Sequence, residues 1–179
     1  MCEISVEVLS ENGYHQAMLG LSLNKDQPVE KMGDVANKLC DKDGGHNKFM
    51  EQIIVWLMVR APRYWWQEAD TYRMSSKSSQ STMHTILSNR LAPQNFELDS
   101  VTHETLDFCN YFIRNNKLFE LKRVLPEGFM QKRMWMLSYK AIRNIVLQRK
   151  NHRLPHWTKL ISVLRNNLKH PELLPFDKE

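Results

Sequence analysis

The sequence predicts a single α+β domain over residues 1–179, an antiparallel or mixed sheet packed by helices. Three observations carry this. Ile4, Val6 and Val8 alternate with Ser5 and Glu7, the period of a half-buried strand. Ile53, Ile54 and Val55 open an apolar run to Val59 whose β-branched side chains suit a buried strand. Elsewhere apolar residues recur at three and four, which lays them along one helix face.

The elements follow in order. Asn12-Gly13 marks a turn after the first strand. From Pro28 to Cys40, Val29, Met32, Val35, Ala36 and Leu39 keep helical spacing, and Asp43-Gly44-Gly45 ends that helix. The buried strand runs from Phe49 to Val59 and stops at Pro62; a helix then begins at Tyr64, with one of Trp65 and Trp66 inward because adjacent helix positions point about 100° apart. Residues 74–82 are serine-rich without apolar rhythm and predict a loop, and 87–100 reads as connection. Thr102 has the character of an N-cap for a helix that turns Leu106, Cys109, Phe112 and Ile113 to one side. Met130–Ser138 suits a strand, Ala141–Arg149 a helix with Ile142, Ile145 and Val146 inward. Pro155 opens a last helix with Trp157, Leu160, Ile161, Leu164 and Leu168 on its buried stripe, ended by His170-Pro171.

Composition narrows the function classes. Apolar content of 42% and charged content of 25% are those of a folded globular chain, and the longest apolar run is too short to span a bilayer. No secretory leader pattern opens the sequence, so a cytoplasmic location is expected. Cys2, Cys40 and Cys109 are odd in number and far apart, which fits free thiols and no zinc site; no His, Cys or Glu grouping has metal-ligand spacing, so no metal is expected. The net charge is +5, and between Lys122 and Lys169 twelve Lys and Arg stand against one acid, Glu127. Such a stripe attracts anions, phosphates first, unless it is a solvated face without a partner. Nucleic acid is the weaker expectation among anionic partners, although the Trp and Tyr residues offer stacking surfaces.

One stretch is more specific. Gly45-His46 is followed by Glu51, the apolar run, Arg60-Ala61-Pro62, a Trp-rich helix, and then Arg73, Ser76 and Ser81. Further on come Leu121-Lys122-Arg123-Val124-Leu125-Pro126, then Asn144 and Arg149. In this order and spacing the chain resembles the flavin-dependent thymidylate synthases, whose signature is Arg-His-Arg-x-x-Ser-x-Asn-Glu-x-Ser-x-Arg. Thr71 and Tyr72 stand where that signature has Arg and His, Ser78-Ser79 where it has Asn-Glu, and Met83 at its last Arg. Lys122 replaces an Arg of the second block, and Ser138 and Lys140 replace its Asn and Arg. The likeness extends weakly to Leu21-Ser22-Leu23.

The resemblance implies a reaction that moves a methylene from a folate to C5 of dUMP and reduces it with a flavin hydride. It implies FAD and a folate as cofactors, a pyrimidine nucleotide as partner, and a homotetramer with sites shared between subunits. By residue, it places Arg149 and Ser81 at the reacting nucleotide, with Lys122, Arg73 and Glu68 also on the nucleotide side. It places Arg73, Tyr72, His46, Ser22, Lys140 and Asn144 at the cofactor. Each has a plainer reading. Arg149 is otherwise a helix-end cation favoured by the helix dipole, Arg73 a surface partner of Asp70 or Glu68, His46 part of a glycine turn, and Lys140 and Asn144 a solvated helix face. A Ser81, His84 and Asp70 triad lacks the Gly-x-Ser-x-Gly frame. The loss of Arg, His and Asn-Glu from the signature keeps open a second function class: a fold relative that has lost the reaction and acts by binding a nucleotide or a macromolecule.

Overall fold

The structure, a computed structural model, describes residues 4–177; Cys2 lies outside them. The element order is β1 (Ser5–Asn12), α1 (Tyr14–Lys25), α2 (Met32–Leu39), β2 (Ile54–Pro62), α3 (Arg63–Ala69), β3 (Ser75–Ser79), α4 (Thr82–Thr85), α5 (His103–Arg114), α6 (Leu118–Val124), β4 (Met130–Ser138), α7 (Tyr139–Arg149) and α8 (Pro155–Asn167). The four strands form one sheet in the order β1-β2-β4-β3, antiparallel throughout. Long central strands pair along their whole length, from Ile54 opposite Ser138 to Pro62 opposite Met130.

Alternation along the strands gives the sheet two unlike faces. Val55, Leu57, Val59, Trp135 and Leu137 are buried on one side, in a single core with α3, α7 and α8. On the other side Trp56 is exposed and Met58, Met134 and Met136 are half-buried. Ile142, Ile145 and Val146 of α7, and Trp157, Leu160 and Leu164 of α8, are fully buried, as their spacing predicts. Cys40 and Cys109 are both buried.

Both tryptophans of α3 are buried, a correction to the expectation of one. The helix is wedged between sheet and α8, so two of its sides are covered. Trp65 lies 4.7 Å from the Trp157 ring and 6.1 Å from Trp135; Trp66 lies 5.9 Å from Trp135 and donates to the Gln131 carbonyl at 3.1 Å.

A second, smaller core holds α5 and α6 against residues 86–96. Buried Asn110 joins the two parts: it accepts from the Leu91 backbone N–H at 2.8 Å and donates to the Leu91 carbonyl at 2.9 Å. Thr102 caps α5, accepting from the Thr105 N–H at 3.3 Å.

Four further departures have local causes. Residues 75–79 are the edge strand β3 and not a loop; pairing with β4 supplies the order that serine-rich sequence does not, and Lys77 packs over Trp135 at 5.0 Å. The second strand begins at Ile54, because Lys48–Glu51 forms a 3₁₀ turn. Helix α1 was invisible to periodicity because its apolar residues scatter: Ala17, Met18 and Leu21 are buried while Leu19 and Leu23 are exposed. Gly13 launches it from a left-handed φ of 93°, and a Cβ there would meet the Gln52 carbonyl oxygen at 2.1 Å. Helix α6 covers most of the Leu121–Pro126 motif, whose short apolar spacing gives no helical stripe of its own.

Candidate functional site

The structure distributes the sequence-derived site residues over three places. The first is a cavity of about 240 Å³ where α3, α4, α6 and β4 meet, lined by Arg63, Gln67, Thr82, Lys122, Gln131 and Arg133. Each cation arrives for a local reason. Arg63 opens α3 directly after Pro62 and is held by the Leu125 carbonyl at 2.8 Å and Glu127 at 3.3 Å. Arg133 projects from the same side of β4 as Trp135; its guanidinium lies 4.5 Å from the Trp66 ring, pairs with Asp70 at 3.1 Å, and keeps a buried Nε–H without a partner. Lys122 donates to the Thr82 hydroxyl at 2.9 Å and has no carboxylate partner among the described residues.

Two carboxylates, Glu127 and Asp70, therefore face Arg63, Lys122 and Arg133, and Asp70 is shared with Lys77 at 3.5 Å. Burial holds the Lys77 ammonium below the usual lysine range, with Asp70 opposing the shift. The excess positive charge is concentrated on Lys122. Ser81 adjoins this cavity through Thr82, but its hydroxyl accepts from the His84 backbone N–H at 3.2 Å as the cap of α4. No Ser81, His84 and Asp70 triad forms.

The second place is the junction of α3, α7 and α8. Arg149 donates from Nε to the Tyr72 hydroxyl at 2.9 Å and from a terminal nitrogen to Glu68 Oε2 at 3.0 Å, and lies over Trp157 at 4.7 Å. The same Glu68 oxygen accepts from Trp157 Nε1 at 2.9 Å, with His152 at 3.6 Å, and the Tyr72 hydroxyl passes its proton toward Gln148 at 3.1 Å. Arg149 is thus neither the solvated helix-end cation nor a group aimed into an open cavity; three neighbours occupy it. Arg73 is exposed and pairs with neither Asp70 nor Glu68, which are taken by other cations.

The third place is the sheet's outer face beside α7. Lys140 and Asn144 line a groove of about 250 Å³ with Ile54, Met74, Met136 and Ala141. The Lys140 ammonium hydrogen-bonds Asn47 Oδ1, and buried Asn47 donates to the Cys40 carbonyl at 3.2 Å. His46, next in chain, is exposed in the turn that Gly44 and Gly45 make with positive φ. Ser22 stands apart: it is buried, and its hydroxyl donates to the Leu19 carbonyl at 2.7 Å within α1. Arg63, Gln67 and Arg133 were missed from sequence; Arg133 carried one signal, its place two residues before Trp135 on an alternating strand.

Comparison with solved structures identifies the scaffold. A flavin-dependent thymidylate synthase, ThyX, from Helicobacter pylori, solved with FAD and dUMP, superposes with a TM-score of 0.81 at 14% identity, over 95% of this chain and 97% of that one. A second structure of Helicobacter pylori ThyX with FAD and dUMP gives 0.84 at 14% identity, over 98% and 100%. The fold is that of ThyX. No protein-family model and no curated protein sequence matches the chain. Near-complete coverage of both chains means that the ThyX architecture is present from end to end, as one domain with no large insertion. Among the described residues, no helix is long and apolar enough to cross a membrane, and no three His, Cys, Asp or Glu are grouped to hold a metal ion.

Proposed function

We propose that this chain is a cytoplasmic ThyX-like protein that binds a pyrimidine deoxynucleotide of the dUMP class, with the phosphate in the Arg63, Lys122 and Arg133 cavity. The observation that supports it is Lys122, a half-buried cation with only a hydroxyl for a partner, set between two arginines in a fold whose solved examples hold dUMP. Ser81 and Thr82 border the same cavity and give a nucleotide hydroxyl acceptors and donors. The groove of Ile54, Met74, Met136, Lys140 and Asn144 suits a flat, largely apolar ring with polar edges, so FAD fits there in part. Bound flavin would supply hydride for C5 modification of the base, with a folate as the one-carbon donor. The scatter of the three places over one subunit favours sites assembled between subunits of a homotetramer, with the exposed His46 and Arg73 contributed across the boundary and Tyr72 acting within its own subunit.

A second reading, nucleotide binding without the reaction, rests on one observation: Arg149 is already committed to Glu68 and Tyr72. Titration calorimetry with dUMP and dCMP tests the shared claim. Wild type should bind, and Lys122→Ala should weaken binding by about 10- to 100-fold, the worth of one charge-assisted contact. Absence of binding in wild type, or full affinity in Lys122→Ala, refutes it. Flavin absorbance of the purified protein separates the two readings, present for the enzyme and absent for the binder.

A further inference from the structure

A cavity of about 820 Å³ shares no lining residue with the Lys122 cavity and has no part in the function proposed above. Its wall carries Glu97, whose carboxylate is held from behind. The Tyr64 hydroxyl donates to Oε2 at 2.7 Å, and His156 Nε2 lies 2.7 Å from Oε1. His156 is almost fully buried, and its Nδ1 has no partner. The Tyr64 hydroxyl and His156 Nε2 also lie 3.2 Å apart, so the three side chains form one cluster behind the cavity wall. The Tyr64 hydroxyl and the His156 ring nitrogen therefore fix the Glu97 carboxylate in place. Each oxygen keeps a lone pair for a third party.

Arg60 and Lys159 line the same cavity, and neither has a carboxylate partner among the described residues. Arg60 donates to the Gln94 carbonyl at 2.6 Å. Asp99 and His103 also stand on the wall; Glu97, fixed in place, and Arg60 and Lys159, which form no ion pair among the described residues, suit a ligand that spans them. Ile4, Leu98 and Leu106 supply apolar contact between the charged ends.

We infer that this cavity binds a guanine nucleotide, with Glu97 accepting from the base and Arg60 and Lys159 meeting the phosphate. Only guanine among the common bases sets a ring N–H beside an exocyclic amine on one edge, the pair of parallel donors that a carboxylate accepts. Adenine and cytosine set an amine beside a ring acceptor, and uracil flanks one N–H with carbonyls.

Titration calorimetry on the full chain tests this with GMP, IMP and AMP as probes. GMP should bind about tenfold or more tighter than IMP, which lacks the exocyclic amine, and AMP should bind weakest. Glu97→Gln should abolish the preference for GMP over AMP, and Lys159→Ala should weaken GMP without changing the binding of guanosine. Lys122→Ala should leave GMP unaffected, so failure of the pyrimidine site and failure of this one are distinguishable. Equal affinity for GMP and AMP overturns the inference, as does a folded Glu97→Gln that keeps the preference. If Glu97→Gln does not fold, Lys159→Ala decides: unchanged GMP affinity overturns it.

Discussion

Arg149→Ala should destabilise this protein substantially. The guanidinium is 17% exposed and the Glu68 carboxylate 33%, and truncation removes more than one contact. Glu68 loses its cation but keeps the Trp157 indole N–H, and being a third exposed it recovers part of its solvation. Breaking a fully buried pair costs about 3 to 5 kcal/mol; the exposure lowers this to about 1 to 2. The lost hydrogen bond to Tyr72 adds about 1 kcal/mol, and the lost stacking over Trp157 about 0.5 to 1. The sum, about 2.5 to 4 kcal/mol, corresponds to a fall in melting temperature of about 5 to 15 °C for a domain of this size. Urea denaturation and calorimetry measure it directly. Two companions sharpen the test. Arg149→Lys keeps charge without the fork and should fall between; the double variant Glu68→Gln, Arg149→Met should be at least about 1 kcal/mol more stable than Arg149→Ala, because it strands no charge. A melting temperature within about 2 °C of wild type for Arg149→Ala would refute the reasoning, and return Arg149 to the role of a ligand-facing cation.

Three further outcomes are expected. Gly13→Ala should cost more than about 2 kcal/mol in urea unfolding, since its Cβ would strike the Gln52 carbonyl at 2.1 Å in a backbone held at φ 93°; a neutral result would mean that α1 can start elsewhere. Burial, reinforced by the Glu11 carboxylate, pushes the Tyr139 phenol far above its ordinary range. Above about pH 10 the unfolded chain releases this proton while the folded one keeps it, so stability falls as pH rises, and Tyr139→Phe should fall less steeply between pH 9 and 11 by calorimetry. Sedimentation at micromolar concentration should show a tetramer; a stable monomer would remove the shared-site arrangement and leave the fold untouched.

What the sequence disclosed followed the strength of the periodic signal. Strand β4 and helices α5, α7 and α8 were legible almost to the residue, because Ile142, Ile145, Val146, Trp157, Leu160 and Leu164 carry no ambiguity about which side is inward. Helix α1 was not, since its exposed Leu19 and Leu23 blur its stripe, and β3 was not, since an edge strand is ordered by its neighbour and not by its own serines. Sequence also brought out Lys122, Glu68 and Arg149 as singular residues. It could not disclose that Lys122 faces an open cavity while Arg149 is closed in, because that difference is set by Tyr72 and Trp157, residues distant in sequence from one or the other.

The closure of Arg149 depends on the residue at position 72. Tyr72 packs its ring edge 5.8 Å from Trp157, accepts the Arg149 Nε–H, and donates onward to Gln148 on the helix that carries Arg149. Glu68 closes the other side by taking both the guanidinium and the Trp157 indole N–H. A histidine at 72 could not serve in the same way. A neutral imidazole that accepted from Nε would have to send its single N–H from the opposite side of the ring, and a protonated one would face Arg149 as a like charge. The phenol, able to accept and donate from one atom, therefore suits an arginine that braces three helices. Tyr72→His alone should cost stability and still leave Arg149 held by Glu68, so a ligand-facing Arg149 requires changes at both positions together. The scaffold does not depend on this corner, because of where the stabilising area lies: the Trp65, Trp66, Trp135 and Trp157 cluster packs the core irrespective of which way Arg149 points.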